Sequence, residues 1–188
     1  KPLGLLYVSS ALENHGVNTE FIDQSVEDLS AEELKDRIGK NKYDFIGFYS
    51  DSTLKDSVVE YIMDIKDSSD VPIIVGGPGV VHAEQFFEAG CDIICNGEGE
   101  ITVCEIADYL IGRKKIEEIR GISYRKDGRV IKNEDRELIQ DLDGLQFPDR
   151  KKTRINKYYD FHKFTMRTPF TTVAGSRGCP YNCYYCAA

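Results

Sequence analysis

Three short apolar runs constrain what this chain can fold into. Phe45-Ile-Gly-Phe-Tyr-Ser50, Pro72-Ile-Ile-Val75 and Asp92-Ile-Ile-Cys95 carry apolar side chains at successive positions. A strand with one wet face would alternate; runs of this kind suit strands covered on both faces, as in a parallel sheet. Helical patterns separate the runs. Ser30-Ala31-Glu32-Glu33 is a capping box that opens a helix to about Lys40. Ser52 caps a helix carrying Leu54, Val58, Val59, Ile62 and Ile65. A short helix at 83–88 closes on Gly90, and another runs from the Asn96–Glu100 turn to Gly112. Ahead of these, residues 3–15 form a helix with a Leu5, Leu6, Val8 and Leu12 stripe and Gly16 as C-cap, and 19–23 a short strand.

Alternating strands and helices make residues 1–115 an α/β domain: a doubly wound parallel sheet, Rossmann-like and flavodoxin-like, with helices on both sides. Such a domain opens with a centrally placed strand, whereas this chain opens on a helix. The first strand of the sheet is therefore expected ahead of Lys1. Residues 116–150 read as a connector. In it, Gly121–Ile131 is a β-hairpin turning at Asp127-Gly128, and 141–149 is a linker whose Phe147-Pro148 pair disfavours helix. Residues 155–166 fit a short helix. Pro169–Ala174 fits a strand of the kind that opens a (β/α) barrel.

Charge marks a boundary near residue 150. The chain carries a net −8, yet residues 151–188 hold seven basic residues and one acidic residue. A basic tail can mean nucleic acid, but the aromatics here do not alternate with the charges in a recognisable nucleic-acid motif; a basic segment lying against an acidic domain or an anionic substrate is the preferred reading. No run approaches the roughly 18 apolar residues of a membrane span, so no membrane partner is expected.

The chemistry concentrates at two places. In an open parallel sheet, ligands bind at the carboxyl ends of the strands. That singles out Ser50, Ser52 and Thr53, then Gly76, Gly77 and Pro78, then Asn96, Gly97 and Glu98. The glycines let a large ligand approach the backbone, and the small polar side chains supply donors and acceptors. The second place is Arg177-Gly-Cys-Pro-Tyr-Asn-Cys-Tyr-Tyr-Cys186, with Cys179, Cys183 and Cys186 in C-x3-C-x2-C spacing. Three thiolates so close converge on one soft metal centre, and on a four-iron cluster they leave one iron open to another ligand. The alternative is a zinc knuckle completed by a residue such as His162, although zinc sites favour C-x2-C pairs. Cys91, Cys95 and Cys104 stand singly in apolar segments. With no secretory signal in the sequence, reduced thiols and a cytoplasmic setting are expected.

Taken in series, these motifs resemble the radical S-adenosylmethionine (SAM) enzymes that carry an N-terminal cobalamin-binding domain. Ser52-Thr53-Leu54 is similar to that family's Ser-x-Leu element and Gly76-Gly77 to its later Gly-Gly. Gly97-Glu98-Gly99-Glu100, the hairpin and the linker resemble its connector region, and Ser176–Cys186 its cluster loop. The resemblance implies that Cys179, Cys183 and Cys186 hold a 4Fe-4S cluster. SAM would chelate the fourth iron, with the backbone beside Tyr185 at its adenine. It implies reductive cleavage of SAM to a 5′-deoxyadenosyl radical, hydrogen abstraction, and methylation or rearrangement of an unknown, small-molecule substrate. It also implies an electron donor such as flavodoxin or ferredoxin. Cobalamin would lie on the strand-end loops. The Asp-x-His-x-x-Gly motif that ligates cobalt in some relatives does not occur: Asp160-Phe161-His162 begins like it but has Thr165 in place of glycine. His15 and His82 read as surface or capping residues. Cobalamin held without a histidine ligand, or a retained fold without cobalamin, follows from that departure. On this resemblance residues 151–188 begin the radical SAM domain, and the fragment alone is expected to be inactive. A stand-alone cofactor-binding domain and a zinc-stabilised interaction module are the competing readings.

Overall fold

The structure, a computed structural model, describes residues 2–158, 171–179, 181, 183 and 184. The chain divides into two compact units, one formed by Lys1–Asp28 with Asp143–Ala188 and the other by Leu29–Leu142.

The second unit is the sheet. Strands β1 (Ile46–Tyr49), β2 (Ile73–Gly76), β3 (Ile93–Cys95), β4 (Ile122–Lys126) and β5 (Arg129–Lys132) lie side by side in sequence order. β1, β2 and β3 run parallel, with Ile46 opposite Ile73 and Ile74 opposite Ile93. β4 and β5 are antiparallel, so the sheet is mixed rather than wholly parallel. The hairpin expected as part of a connector instead extends the sheet: β4 pairs directly with β3, Cys95 facing Ile122. Its two-residue turn holds Asp127 at φ +51° and Gly128 at +75°, the left-handed pair that matches the twist of a tight hairpin.

The runs of β2 and β3 are buried on both faces because alternate residues serve opposite layers, whereas β1, at the edge of the sheet, is only half-buried. Ile73, Val75 and Ile94 pack with Val58, Ile62 and Ile65 of α4 (Lys55–Lys66) and Phe86 and Phe87 of α5 (Ala83–Ala89). Ile74, Ile93 and Cys95 pack on the other side with Ile106 of α6 (Gly99–Leu110), Ile119 and Tyr124. Helix α3 (Ala31–Lys40) has its capping box in place: the Ser30 amide donates to Glu33 Oε2 at 2.8 Å and the Glu33 amide to Ser30 Oγ at 3.2 Å. Ser52 does not cap α4; Asp51 instead holds the turn that leads into the helix, as set out below.

The first unit holds α1 (Leu3–Asn14) and α2 (Gln24–Glu27). α1 ends as expected. Gly16 takes φ +88°, its amide reaches Glu13 O at 3.0 Å, and the Val17 amide reaches Leu12 O at 2.9 Å, a Schellman closure. Residues 19–23, expected as a strand, form no ladder among the described residues. Their polar groups face helices instead: Thr19 Oγ1 lies 2.7 Å from Ser9 Oγ, and Asp23 caps α2 by accepting from the Ser25 amide at 3.1 Å. The later segment of this unit docks on α1 through a 2.9 Å bond from the Asp149 amide to Ser10 Oγ and a 2.8 Å bond from Lys152 Nζ to Ser9 Oγ. Lys152 also donates to Glu13 and Thr19, and the Tyr158 hydroxyl donates to Asp23. The helix expected over 155–166 is a 3-10 turn at Ile155–Lys157 as far as the described residues extend. Residues 171–174 form no strand, and the start of a barrel at 169–170 lies outside the described residues.

Candidate functional site

The carboxyl ends of β1, β2 and β3 form one rim. Neighbouring strands stand about 4.8 Å apart, so their loops succeed one another along it. Ser50 follows β1 and is fully buried. Its amide donates to Gly76 O at 2.9 Å, and its carbonyl accepts from the Gly79 amide at 2.8 Å. The glycines after β2 are required by this contact. A Cβ on Gly77, at φ +94°, would lie 2.6 Å from Ser50 O and 2.8 Å from the Tyr49 ring, and one on Gly79 would lie 2.5 Å from Ser50 Oγ. Pro78 opens the 3-10 turn Pro78–His82, and a Cβ on Gly76 would face Cys95 at 3.6 Å. Ser50, Gly76, Gly77 and Pro78 therefore lock the first two loops together.

Asp51 organises the turn into α4. Its Oδ1 accepts from the Thr53 amide at 2.8 Å, Thr53 Oγ1 at 2.7 Å and the Leu54 amide at 2.9 Å. These bonds, the Thr53 hydroxyl foremost, hold the Asp51 carboxyl below its ordinary range. The turn leaves Ser52 and Thr53 on the surface, and Ser52 makes no hydrogen bond among the described residues. Leu54 and Val81, 44% and 61% exposed, add apolar surface beside it. Sequence reasoning places Asp51 in the strand-end loop and Leu54 in the Ser-x-Leu element but misses the turn-holding role of Asp51 and the exposed Val81. The available signal was an acidic and then an apolar side chain directly after a strand end.

After β3 the three candidates diverge. The Asn96 amide donates to Gly121 O at 2.8 Å and its side-chain Nδ2 to Ser123 Oγ at 3.1 Å, so Asn96 ties the rim to β4. Glu98 Oε2 accepts from the Ile139 amide at 2.6 Å and fastens the segment after the hairpin. Gly97 holds φ +82°, and no atom lies within 4 Å of where a Cβ would stand. Gly97 and the Ser52–Thr53 turn thus face open space on one rim, with exposed apolar groups beside them. That combination fits a broad, partly polar ligand laid flat over the strand ends. His82 is half-buried at the start of α5, and His15 caps α1.

A separate hollow of about 440 Å³ at the far end of α6 is lined by Tyr109, Lys114, Lys115, Arg125 and Lys126. Two of its lysines are engaged, Lys114 with Glu105 and Lys126 with Glu117, each at 2.7 Å.

The cysteines separate by environment. Burial pushes the Cys91 thiol up to about 12 and the Cys95 thiol to about 11; Cys104 also rises to about 11. These three are protonated at neutral pH and are poor metal ligands. Cys179 and Cys183 are exposed, free thiols, which suits them to a soft metal; Cys186 and Tyr185 lie outside the described residues. Among the described residues no three ligating side chains converge on a metal position. The approach to the cysteines is anchored. Arg150 donates to Thr171 Oγ1 at 2.6 Å and Thr172 O at 2.8 Å, and the Arg177 guanidinium lies 4.9 Å from the centroid of the Tyr7 ring.

Comparison with known proteins gives the chain a family and a fold. An uncharacterized methyltransferase of Pyrococcus horikoshii is 31% identical over 192 residues, covering 100% of this chain and 40% of that protein. The anaerobic magnesium-protoporphyrin IX monomethyl ester cyclase of Synechocystis is 28% identical over 196 residues, covering 98% of this chain and 37% of the cyclase. The chain thus spans well under half of each relative. Among solved structures, the cobalamin-dependent S-adenosylmethionine radical enzyme OxsB superposes with a TM-score of 0.65 at 26% identity, over 72% of this chain and 20% of OxsB. OxsB with aqua-cobalamin and S-adenosylmethionine bound gives 0.62 at the same identity, over 73% of this chain and 20% of OxsB. The α/β sheet and its helices are those of the cobalamin-binding domain of such enzymes. The B12 binding domain family matches residues 1–107, more than half of the chain, and the chain belongs to that family.

Proposed function

We propose that this chain is the cobalamin-binding part of a radical SAM enzyme, most simply a methyltransferase, acting on a small molecule. One observation carries the reading: a B12-binding domain and a C-x3-C-x2-C loop occur in one chain, in that order. Cobalamin lies over the rim, where Ser52 and Thr53 offer hydroxyls, Gly97 gives clearance, and Leu54 and Val81 shield one edge from water. Ser50, Gly76, Gly77, Pro78, Asn96 and Glu98 hold those loops in place. Neither His15 nor His82 lies on the loops that face open space, which supports cobalamin held without a histidine ligand from the described residues. Cys179, Cys183 and Cys186 hold a 4Fe-4S cluster whose remaining iron takes SAM, with the backbone at Tyr185 beside the adenine. Together the cofactors supply radical and methyl-transfer chemistry; the protein orients them and excludes water.

An electron donor of the flavodoxin or ferredoxin kind reduces the cluster. The five described cysteines are free thiols, in keeping with a reducing, cytoplasmic setting, and no helix among the described residues is long and apolar enough to cross a membrane. The test is anaerobic reconstitution with iron and sulfide, then titration with aquocobalamin. Expected are a visible iron–sulfur absorbance band abolished by Cys183→Ala and a cobalamin spectrum retained on gel filtration. Zinc in place of iron, or a band that survives loss of a cysteine, would sink the cluster half. Free elution of cobalamin would sink the other half.

A further inference from the structure

We infer that Tyr7 is a positioning residue for the cysteine loop, acting through Arg177; the inference rests on the cluster reading above. Arg177 stands two residues before Cys179, and it is the one half-buried residue of 171–179, the others being exposed. Its guanidinium lies over the face of Tyr7, 4.9 Å from the ring centroid, within the range of cation–π attraction. Tyr7 is itself half-buried on α1, a helix that buries Leu6, Ser9, Ser10 and Leu12, so the ring is a fixed platform rather than a loose surface group. Arg150 grips the same segment six residues earlier, through Thr171 Oγ1 and Thr172 O. The stretch 171–177 is thus tied at both ends to one unit and crosses between the ties with exposed side chains.

Beyond the second tie, Gly178 takes φ +78°, a left-handed turn that redirects the chain at the first cysteine. Three sulfurs must meet one cluster face, and the entropy of ordering their loop opposes this. Fixing Arg177 removes the freedom of the chain just where Cys179 leaves it. Arginine serves better than lysine here, because its planar, weakly hydrated cation stacks on an aromatic face.

The test compares Tyr7→Phe and Tyr7→Leu with the parent chain, each first shown by far-UV circular dichroism to be folded. In metal-free protein, trypsin must lift the Arg177 side chain off the ring to cut after it. Cleavage at that bond, followed by mass spectrometry, is expected to be about five-fold faster in Tyr7→Leu and unchanged in Tyr7→Phe. After reconstitution, Tyr7→Leu is expected to lose iron and the electron paramagnetic resonance signal of the reduced cluster, and Tyr7→Phe to keep both. Equal cleavage in all three proteins, or full iron and an unchanged signal in Tyr7→Leu, overturns the positioning role. If the parent chain itself takes up no iron, the cluster reading fails, and with it the purpose of the anchor. The cleavage comparison would then still show whether Tyr7 holds Arg177.

Discussion

Gly77 and Gly97 sit on the same rim with similar left-handed backbones, φ +94° and +82°, and opposite surroundings. At Gly77 an added Cβ would strike Ser50 O and the Tyr49 ring, whereas at Gly97 it would meet nothing within 4 Å. Gly77→Ala is therefore expected to cost about 2–4 kcal/mol of stability, backbone strain plus overpacking, and Gly97→Ala only about 1 kcal/mol of strain. Urea unfolding followed by circular dichroism measures both; equal losses would contradict the packing at Ser50. Gly97→Ala should instead show its main effect as weaker cobalamin retention, since its methyl would project into the open rim. The buried thiols give the molecule an alkaline limit. Cys91 and Cys95, 2% and 7% exposed, titrate at about 12 and about 11 in the fold against 9.0 for the reference thiol. Raised thiol pKa values mean that the folded state holds protons the unfolded state has released. Their contribution is thus intact below pH 9 and lost as pH rises from 9 towards 11–12. The expected slope is at most about 1.4 kcal/mol per pH unit per thiol. Cys91→Ala should flatten that limb in urea titrations run across pH 8.5–11.

The elements most visible in sequence were those whose stability is local or whose burial is complete. The α3 capping box, the Gly16 closure of α1 and the Asp127-Gly128 turn each need only neighbours along the chain, and all three form as read. β2 and β3 are apolar at successive positions because α5 and α6 cover opposite faces, so their pattern announces their place. What the residues conceal is partnership. Thr19–Asp23 has strand-forming side chains, but β propensity is realised only against a ladder partner, and here its polar groups serve α1 and α2 instead. The hairpin was legible, but not its attachment to β3, because antiparallel pairing onto a parallel sheet leaves no local mark. The segment between β5 and the 141–149 linker carries no sequence signal of its own. It is held to the second unit by Asn133, whose Nδ2 donates to Ile116 O at 2.7 Å and Ile119 O at 2.8 Å, and by Arg136, which bonds Thr102 and Glu105. Such long-range polar bonds follow no period. The strand ends bring the candidate residues onto one rim, but the sequence does not divide their roles. Ser50 and Glu98 look like ligand groups in sequence and prove to be engaged with protein atoms, because small polar residues after strands serve turns and ligands alike.

At the scale of the molecule, the two units are threaded differently. The sheet unit is one uninterrupted stretch, Leu29–Leu142, whereas the other draws Lys1–Asp28 together with Asp143–Ala188. The groups that bond Ser10 and Ser9 of α1 are Asp149 and Lys152, 139 and 143 residues away along the chain. Closing so long a loop is slow relative to the local contacts of the sheet unit. In refolding followed by pulsed hydrogen exchange, amides of β1–β3 should become protected before those of α1; simultaneous protection would show that the helix does not depend on its late partners. On a ribosome the same threading imposes an order in time. α1 remains without its closing partners while more than a hundred residues are added after it, and is the last part of its unit to settle. A chaperone that shields an exposed helix would meet this protein at α1, and a pause or truncation ahead of residue 149 would leave that helix unsatisfied.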